Sequence, residues 1–355
     1  MAPDRLREWL KRERLDAACV TRPVSIAYLT GFMAEPHERL IALALAEDST
    51  VLLVPALEAA NASRAVPDVE IRAWQDGEDA MEVLRNVLGK VRRLAVEKDH
   101  LTLERAEQLR VSQFADCSPA LRAMRARKDG REVGLLARAA ELTDEVTKAI
   151  SIEVQAGASE RDVAARLNEL IRATGAETSF GSLVQSGPNS ALPHAQPSER
   201  RLATGDLVLL DFGCRWRGFC GDTTRMAVVG EPNARQREMH QLVLDAHDAA
   251  LDAIRPGVTC GEVDAAARQV IESAGYPEAF IHRTGHGLGL EAHEEPNLAP
   301  GSDVRLEEGN VVTVEPGVYF PGWGGVRIED DVVVEGDGAR LLTAADRSLR
   351  VIDRA

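Results

Sequence analysis

Up to residue 120 the apolar positions form short strand-length runs that alternate with helical patterns. Residues 4–14 predict a charged amphipathic helix, followed by an extended DAACVT. Leu40–Ala46 and Thr50–Pro55 flank Glu47-Asp48-Ser49 and predict a hairpin. Helical patterns over 56–65, 77–90 and 102–110 surround a strand-like RLAVEK. Such alternation predicts an α/β domain, placed at 1–125. The charged segment LRAMRARKDGRE breaks at Asp129-Gly130 and marks the boundary. Beyond it the pattern changes. A long helix is expected from Glu132 to Val154, and Ser159 with Asp162 predicts an N-cap for a helix to Ala173. From Ser179 short strands and glycine turns take over, with further helices at 234–254 and 261–273 and a strand-rich tail at 310–342. Residues 126–355 therefore read as α+β, and no internal repeat stands out.

The totals narrow the field. A chain of 355 residues with 45% hydrophobic and 28% charged residues reads as a soluble two-domain protein. A net charge of −15 argues against nucleic-acid partners and anionic membranes. The start lacks a signal-peptide core, and no apolar run approaches the roughly 20 residues needed to span a bilayer. Five cysteines without a CxxC read as reduced thiols of a cytoplasmic protein.

The stretch GDLVLLDFGCRWRGFCGDTTR carries the first chemistry. An antiparallel hairpin turning between Trp216 and Arg217 sets Asp211 opposite Asp222. Facing buried carboxylates repel unless a proton or a divalent cation lies between them. Taken alone, a strand-capping Asp211 and a solvated Asp222 explain the pair equally well. Histidines cluster at His194 and at His282, His286 and His293, with glycines around His286. Glu315 closes the apolar strand VVTVE as Asp211 closes its own, and Arg327 and Glu329 share one strand face by alternation. Four carboxylates and one imidazole (Asp211, Asp222, His286, Glu315, Glu329) balance two divalent cations. Two such ions about 3.5 Å apart can share a hydroxide and polarise a carbonyl, which is hydrolase chemistry.

LLDFGCRWRGFCGDTTR, HRTGHGLGLEAHEEP and VEPGVYFPGWGGVRIED resemble the motifs of the pita-bread metallopeptidases. That family includes Xaa-Pro dipeptidase (prolidase), Xaa-Pro aminopeptidase and methionine aminopeptidase. The resemblance runs from Lys128 to the end, and the weaker AYLTGF and VLLVPALE resemble a creatinase-like N-terminal domain. It implies a pita-bread catalytic domain over 126–355, with Asp211, Asp222, His286, Glu315 and Glu329 as ligands of two divalent ions. Mn²⁺ suits such ligands best, with Co²⁺ or Zn²⁺ as alternatives. It also implies Glu315 as the proton carrier and His194, His282 and His293 as substrate-orienting groups that stabilise the oxyanion. Arg327 and Tyr319 would position Asp211. In a homodimer, the loop Met33–Arg39 after a YLTGF strand would bring His37 and Arg39 to the partner's site.

The implied activity is hydrolysis of the Xaa-Pro bond in dipeptides. The alternative is an aminopeptidase acting on longer peptides with proline second. One departure bears on that choice: Asn297 stands where similar dipeptidases often carry an arginine for the substrate carboxylate, so Arg39 becomes the candidate clamp. A metal-free amidinohydrolase and a non-enzymatic binding protein of the same fold are less favoured, because all five ligand positions are filled.

Overall fold

The computed structural model describes residues 2–33 and 37–353 and divides into two compact units, Met1–Arg125 and Ala126–Ala355. Residues 34–36 of the Met33–Arg39 loop lie outside the described residues.

The N-terminal unit is built on a six-stranded mixed sheet. Its strand Ala17–Val20 pairs antiparallel with Ala42–Ala46 and parallel with Arg93–Val96. Ala18 and Val20 join one core with Leu6 and Ile26, whereas Ala17 and Cys19 join another with Leu84 and Leu109. Both faces are covered, so AACV is apolar throughout rather than alternating. The hairpin Ala42–Ala46/Thr50–Pro55 forms as expected. The YLTGF stretch does not form a strand. Pro23 opens a helix, Pro23–Thr30, and Gly31 closes it at φ 87° with its N–H on the Ala27 carbonyl. Proline at the first helical position and a left-handed glycine at the end are the residue types those positions favour.

The C-terminal unit contains an internal repeat that the sequence pattern did not suggest. Helix Glu160–Ala173 starts at a capping box of Ser159 and Asp162, and helix Cys260–Ser273 starts at one of Thr259 and Glu262. Just before each, a left-handed glycine donates to a leucine carbonyl: Gly157 to Leu202 at 2.8 Å, Gly257 to Leu306 at 2.7 Å. Strands Leu207–Phe212 and Thr223–Val229 pair in one sheet as Val311–Val314 and Asp330–Glu335 pair in the other. The two sheets meet where Thr224 bridges Glu329. Asp211 and Glu315 therefore close equivalent strands. The copies share caps and apolar spacing but little side-chain identity, which hides the repeat in the sequence.

The hairpin register differs from the expected one. Arg217 (φ 49°) and Gly218 (φ 88°) form its two-residue turn, and Trp216 pairs with Phe219. A turn needing positive φ at both centres selects Arg-Gly over Trp-Arg. Asp211 consequently faces Thr224, not Asp222. The offset is two residues, so both carboxylates keep the same face and Asp222 becomes a diagonal neighbour. At Gly213 the ribbon passes from one sheet to the next, and an added Cβ there would lie 1.7 Å from the Gly221 carbonyl oxygen.

Candidate active site

Five segments bring their polar side chains to one cavity of about 680 Å³. His194, Asp211, Asp222, His282, His286, His293, Glu315, Arg327 and Glu329 all line it. Leu210 and Phe212 on either side of Asp211 turn the other way into one core, and Val314, Val326 and Ile328 beside Glu315, Arg327 and Glu329 turn into another. Leu209 and Met226, on the face of Asp211, belong to that second core and lie deeper along the strands, which leaves the carboxylates at the strand ends.

His286 sits in the short strand Gly285–Gly287, between Glu294–Leu298 and Val311–Val314. Only glycines fit on either side of it. A Cβ at Gly285 would meet the Thr313 oxygen at 1.9 Å, and one at Gly287 the Glu295 oxygen at 2.2 Å. Its Nδ1 lies 3.1 Å from the Gly287 carbonyl, which can only accept, so Nδ1 carries a proton. Nε2 then faces Glu315 Oε1 at 3.2 Å and Asp222 Oδ2 at 4.0 Å.

Asp222, His286 and Glu329 could hold a metal ion: one donor atom from each lies within 4.8 Å of the others. The donor chemistry fits. Asp222 Oδ1 and Asp211 Oδ1 are buried and have no hydrogen-bond partner among the described residues. Burial first, then Glu329 and Asp211, push the Asp222 carboxyl well above its ordinary value. Burial, with Glu315 and Asp211, does the same to Glu329. Burial also raises Asp211, against the opposing pull of Arg327. A cation among these groups would remove the repulsion. Glu315 goes the other way: burial opposes its ionisation, but the His286 hydrogen bond and charge outweigh it and hold the carboxyl at about 2.

A second layer fixes these groups. Thr224 Oγ1 donates to Glu329 Oε2 at 2.7 Å and accepts from Arg327 Nε at 3.0 Å. Arg327 also binds Asp211 Oδ2, and its Nη1 donates to the Tyr319 hydroxyl at 3.0 Å. That hydroxyl donates to His282 Nε2 at 2.8 Å, while His282 Nδ1 donates to the Arg283 carbonyl at 2.7 Å. Burial lowers His282 and takes His293 down to about 4, so both imidazoles are neutral at pH 7. The His293 ring meets that of His286 edge-on, centroids 4.2 Å apart.

Thr224 and Asp331, whose Oδ2 accepts from the Asp222 N–H at 3.0 Å, were not singled out by the sequence pattern, although GDTTR and IEDD contain them. Arg283 also lines the cavity, inside the motif HRTGHG. Asn297 pairs across the strands with His286, and its amide donates to Glu295 Oε2 at 3.1 Å. In the N-terminal unit, Arg39 pairs with Asp76 at 3.2 Å and His37 has φ 49°.

Comparison with known proteins adds the ancestry of this arrangement. A family model of metallopeptidase family M24 matches residues 134–336, and one of the creatinase/prolidase N-terminal domain matches residues 4–127. The fold superposes on a Xaa-Pro dipeptidase from Bacillus anthracis with a TM-score of 0.93 at 34% identity, covering 99% of both chains. An X-Pro aminopeptidase from Thermotoga maritima MSB8 gives 0.91 at 31%, again over 99% of both chains. The prolidase from Pyrococcus furiosus gives 0.88 at 34%, over 96% of this chain and 99% of that one.

Proposed function

Because the chain belongs to metallopeptidase family M24, we propose that it hydrolyses the bond between a first residue and proline, with dipeptides as its main substrates. One observation carries the reading: the donor atoms of Asp222, His286 and Glu329 converge in a cavity ringed by His194, His282 and His293. Asp211 and Glu315 complete a ligand set for two divalent ions, Mn²⁺ foremost. The ions, when bound, polarise the scissile carbonyl and acidify water. Glu315, ionised and with its Oε1 3.2 Å from His286 Nε2, is placed to receive a proton and return it to the prolyl nitrogen. The neutral His293, together with His194, is placed to orient the peptide and donate to developing charge on its carbonyl oxygen, while His282, held between the Arg283 carbonyl and the Tyr319 hydroxyl, helps to orient the peptide.

The dipeptide preference is supported by Arg283. It lines the cavity, its charge acts on His293, and a free carboxylate just beyond the scissile bond would find it there. Asn297 is turned to Glu295 and supplies no cation. His37 and Arg39 from a second copy are further candidates in a cytoplasmic homodimer. The five cysteines are all free and buried, in keeping with a reducing compartment.

The test is release of the first residue from a Xaa-Pro dipeptide and from a Xaa-Pro-Yaa tripeptide by Mn²⁺-loaded protein. Dipeptide cleavage that collapses in Arg283→Met is the expected result. Preference for the tripeptide makes the protein an aminopeptidase, and cleavage of neither overturns the reading.

A further inference from the structure

Two helices at equivalent places in the internal repeat each hold a histidine-bearing loop from behind, through side chains that do not line the cavity: Glu160, Gln185 and Asp264 are buried and Arg268 is partly buried. The first residue of helix Glu160–Ala173 is Glu160, fully buried at a helix N-terminus where a carboxylate is favoured. Its Oε1 accepts from the Ser186 N–H at 2.7 Å and the Ser186 hydroxyl at 2.8 Å. Its Oε2 accepts from the Ser198 N–H at 3.1 Å and the Ser198 hydroxyl at 2.6 Å. Both ends of the loop that carries His194 are thereby tied to one carboxylate. The loop's middle is tied by Gln185, also fully buried. Its Nε2 lies within donor reach of the carbonyls of Leu192 (2.9 Å), Pro193 (3.2 Å) and Ala195 (3.0 Å). The His194 side chain itself is exposed, so its backbone anchorage is what aims it.

In the second copy, helix Cys260–Ser273 does the same for His282. Asp264 Oδ1 accepts from the Thr284 N–H at 3.0 Å and the Thr284 hydroxyl at 2.9 Å. Asp264 also pairs with Arg268 at 3.0 Å, whose Nη1 and Nη2 donate to the carbonyls of Phe280 (2.8 Å) and His282 (2.9 Å).

We propose that Glu160 with Gln185, and Asp264 with Arg268, are positioning residues that aim His194 and His282, respectively, at the bound peptide. The inference rests on the peptidase reading for its kinetic part only. The experiment is a crossed set of double-mutant cycles on Mn²⁺-loaded protein with leucylproline, using Gln185→Leu and Arg268→Met against His194→Ala and His282→Ala. Each positioning variant should lower kcat/KM roughly tenfold, the low end for loss of a partner that orients a functional group. Gln185→Leu should cost nothing further in His194→Ala but its full factor in His282→Ala, and Arg268→Met should behave in the reverse way. Amide hydrogen exchange is read on the same proteins. Gln185→Leu should speed it at 187–199 and leave 280–285 unchanged, with the opposite for Arg268→Met.

Costs that multiply in both histidine backgrounds, or exchange that rises everywhere, overturn the proposal in favour of general loosening. If the unaltered protein cuts no Xaa-Pro peptide, the function reading fails, and the exchange pattern still decides the anchorage. Should Gln185→Leu not fold, Ser198→Ala removes one donor to Glu160 and takes its place in the cycle.

Discussion

Glu329, Asp330 and Asp331 are consecutive, all buried, and alternate in direction. Asp330 turns away from the cavity into a cage of donors, Arg225 Nη2 at 2.7 Å, the Thr343 hydroxyl at 2.6 Å and Arg347, with the His247 imidazole nitrogen Nε2 3.0 Å away. Burial alone would raise its carboxyl, but these partners hold it far below the ordinary range. Of its neighbours, Glu329 turns into the cavity and Asp331 towards the Asp222 N–H; both find few donors and are driven well above that range. The same backbone thus carries a carboxylate whose charge the fold satisfies and carboxylates whose charge it does not. The difference separates structure from function: a satisfied buried acid holds the fold, and unsatisfied ones wait for a cation.

The largest effect should come from emptying the cage. Asp330→Ala leaves Arg225 and Arg347 without their shared partner and is expected to cost about 3–5 kcal/mol of folding stability, read by urea denaturation. Asp222→Ala should do the opposite to the metal-free protein, raising its melting temperature by removing a repelled acid. Metal affinity and peptidase rate should both fall by more than the roughly 100-fold typical of a lost supporting group. Calorimetric Mn²⁺ titration checks the first and leucylproline turnover the second. If Asp222→Ala melts lower and still binds Mn²⁺, the contrast between the two kinds of acid is false.

Thr224→Val probes the link between them. It keeps shape but removes the hydroxyl that serves Glu329 and Arg327 together, and should weaken Mn²⁺ binding about 10- to 100-fold with little change in melting. A pH series sharpens the contrast further. Raised carboxyls make the metal-free folded state hold protons that the unfolded chain has already released above its ordinary value near 4. Their contribution is therefore present in acid and lost as pH rises through the raised values, so the metal-free protein should melt lower at pH 8 than at pH 5. Glu315, held at about 2, contributes in the other sense, but its loss falls below pH 4, outside that window. Saturating Mn²⁺ should flatten the slope. A metal-free melting temperature that climbs with pH would contradict the raised carboxyls.

Much of this was legible in the chain. Asp211 and Glu315 closing apolar runs, and histidines flanked by glycines, are local patterns, and the strands place them at the cavity as such patterns suggest. The helix start at Ser159 was legible for the same reason, since a cap is a short-range bond. Asp129, read as a break before a helix from Glu132, is the N-cap of Gly130–Glu153. What escaped depends on distant partners. The hairpin register turned on which dipeptide tolerates two positive φ values, and Trp216-Arg217 and Arg217-Gly218 differ by one step. Thr224 gains its role only because Glu329, more than a hundred positions on, bridges to it. The YLTGF helix was misread because a Pro at its start and a Gly at its end also bracket strands.

The smallest effect calibrates the comparison at the surface. Asp129 is exposed and satisfied: its Oδ1 accepts from the N–H groups of Arg131 and Glu132 at 2.9 Å each, at the start of helix Gly130–Glu153. Asp129→Ala should cost about 1 kcal/mol, the usual worth of a capping acid, and leave Mn²⁺ affinity untouched. Water can replace those two bonds at the surface, whereas nothing replaces the donors around Asp330. If the two substitutions cost the same, burial is not what distinguishes a structural acid here, and the contrast must rest on donor number alone.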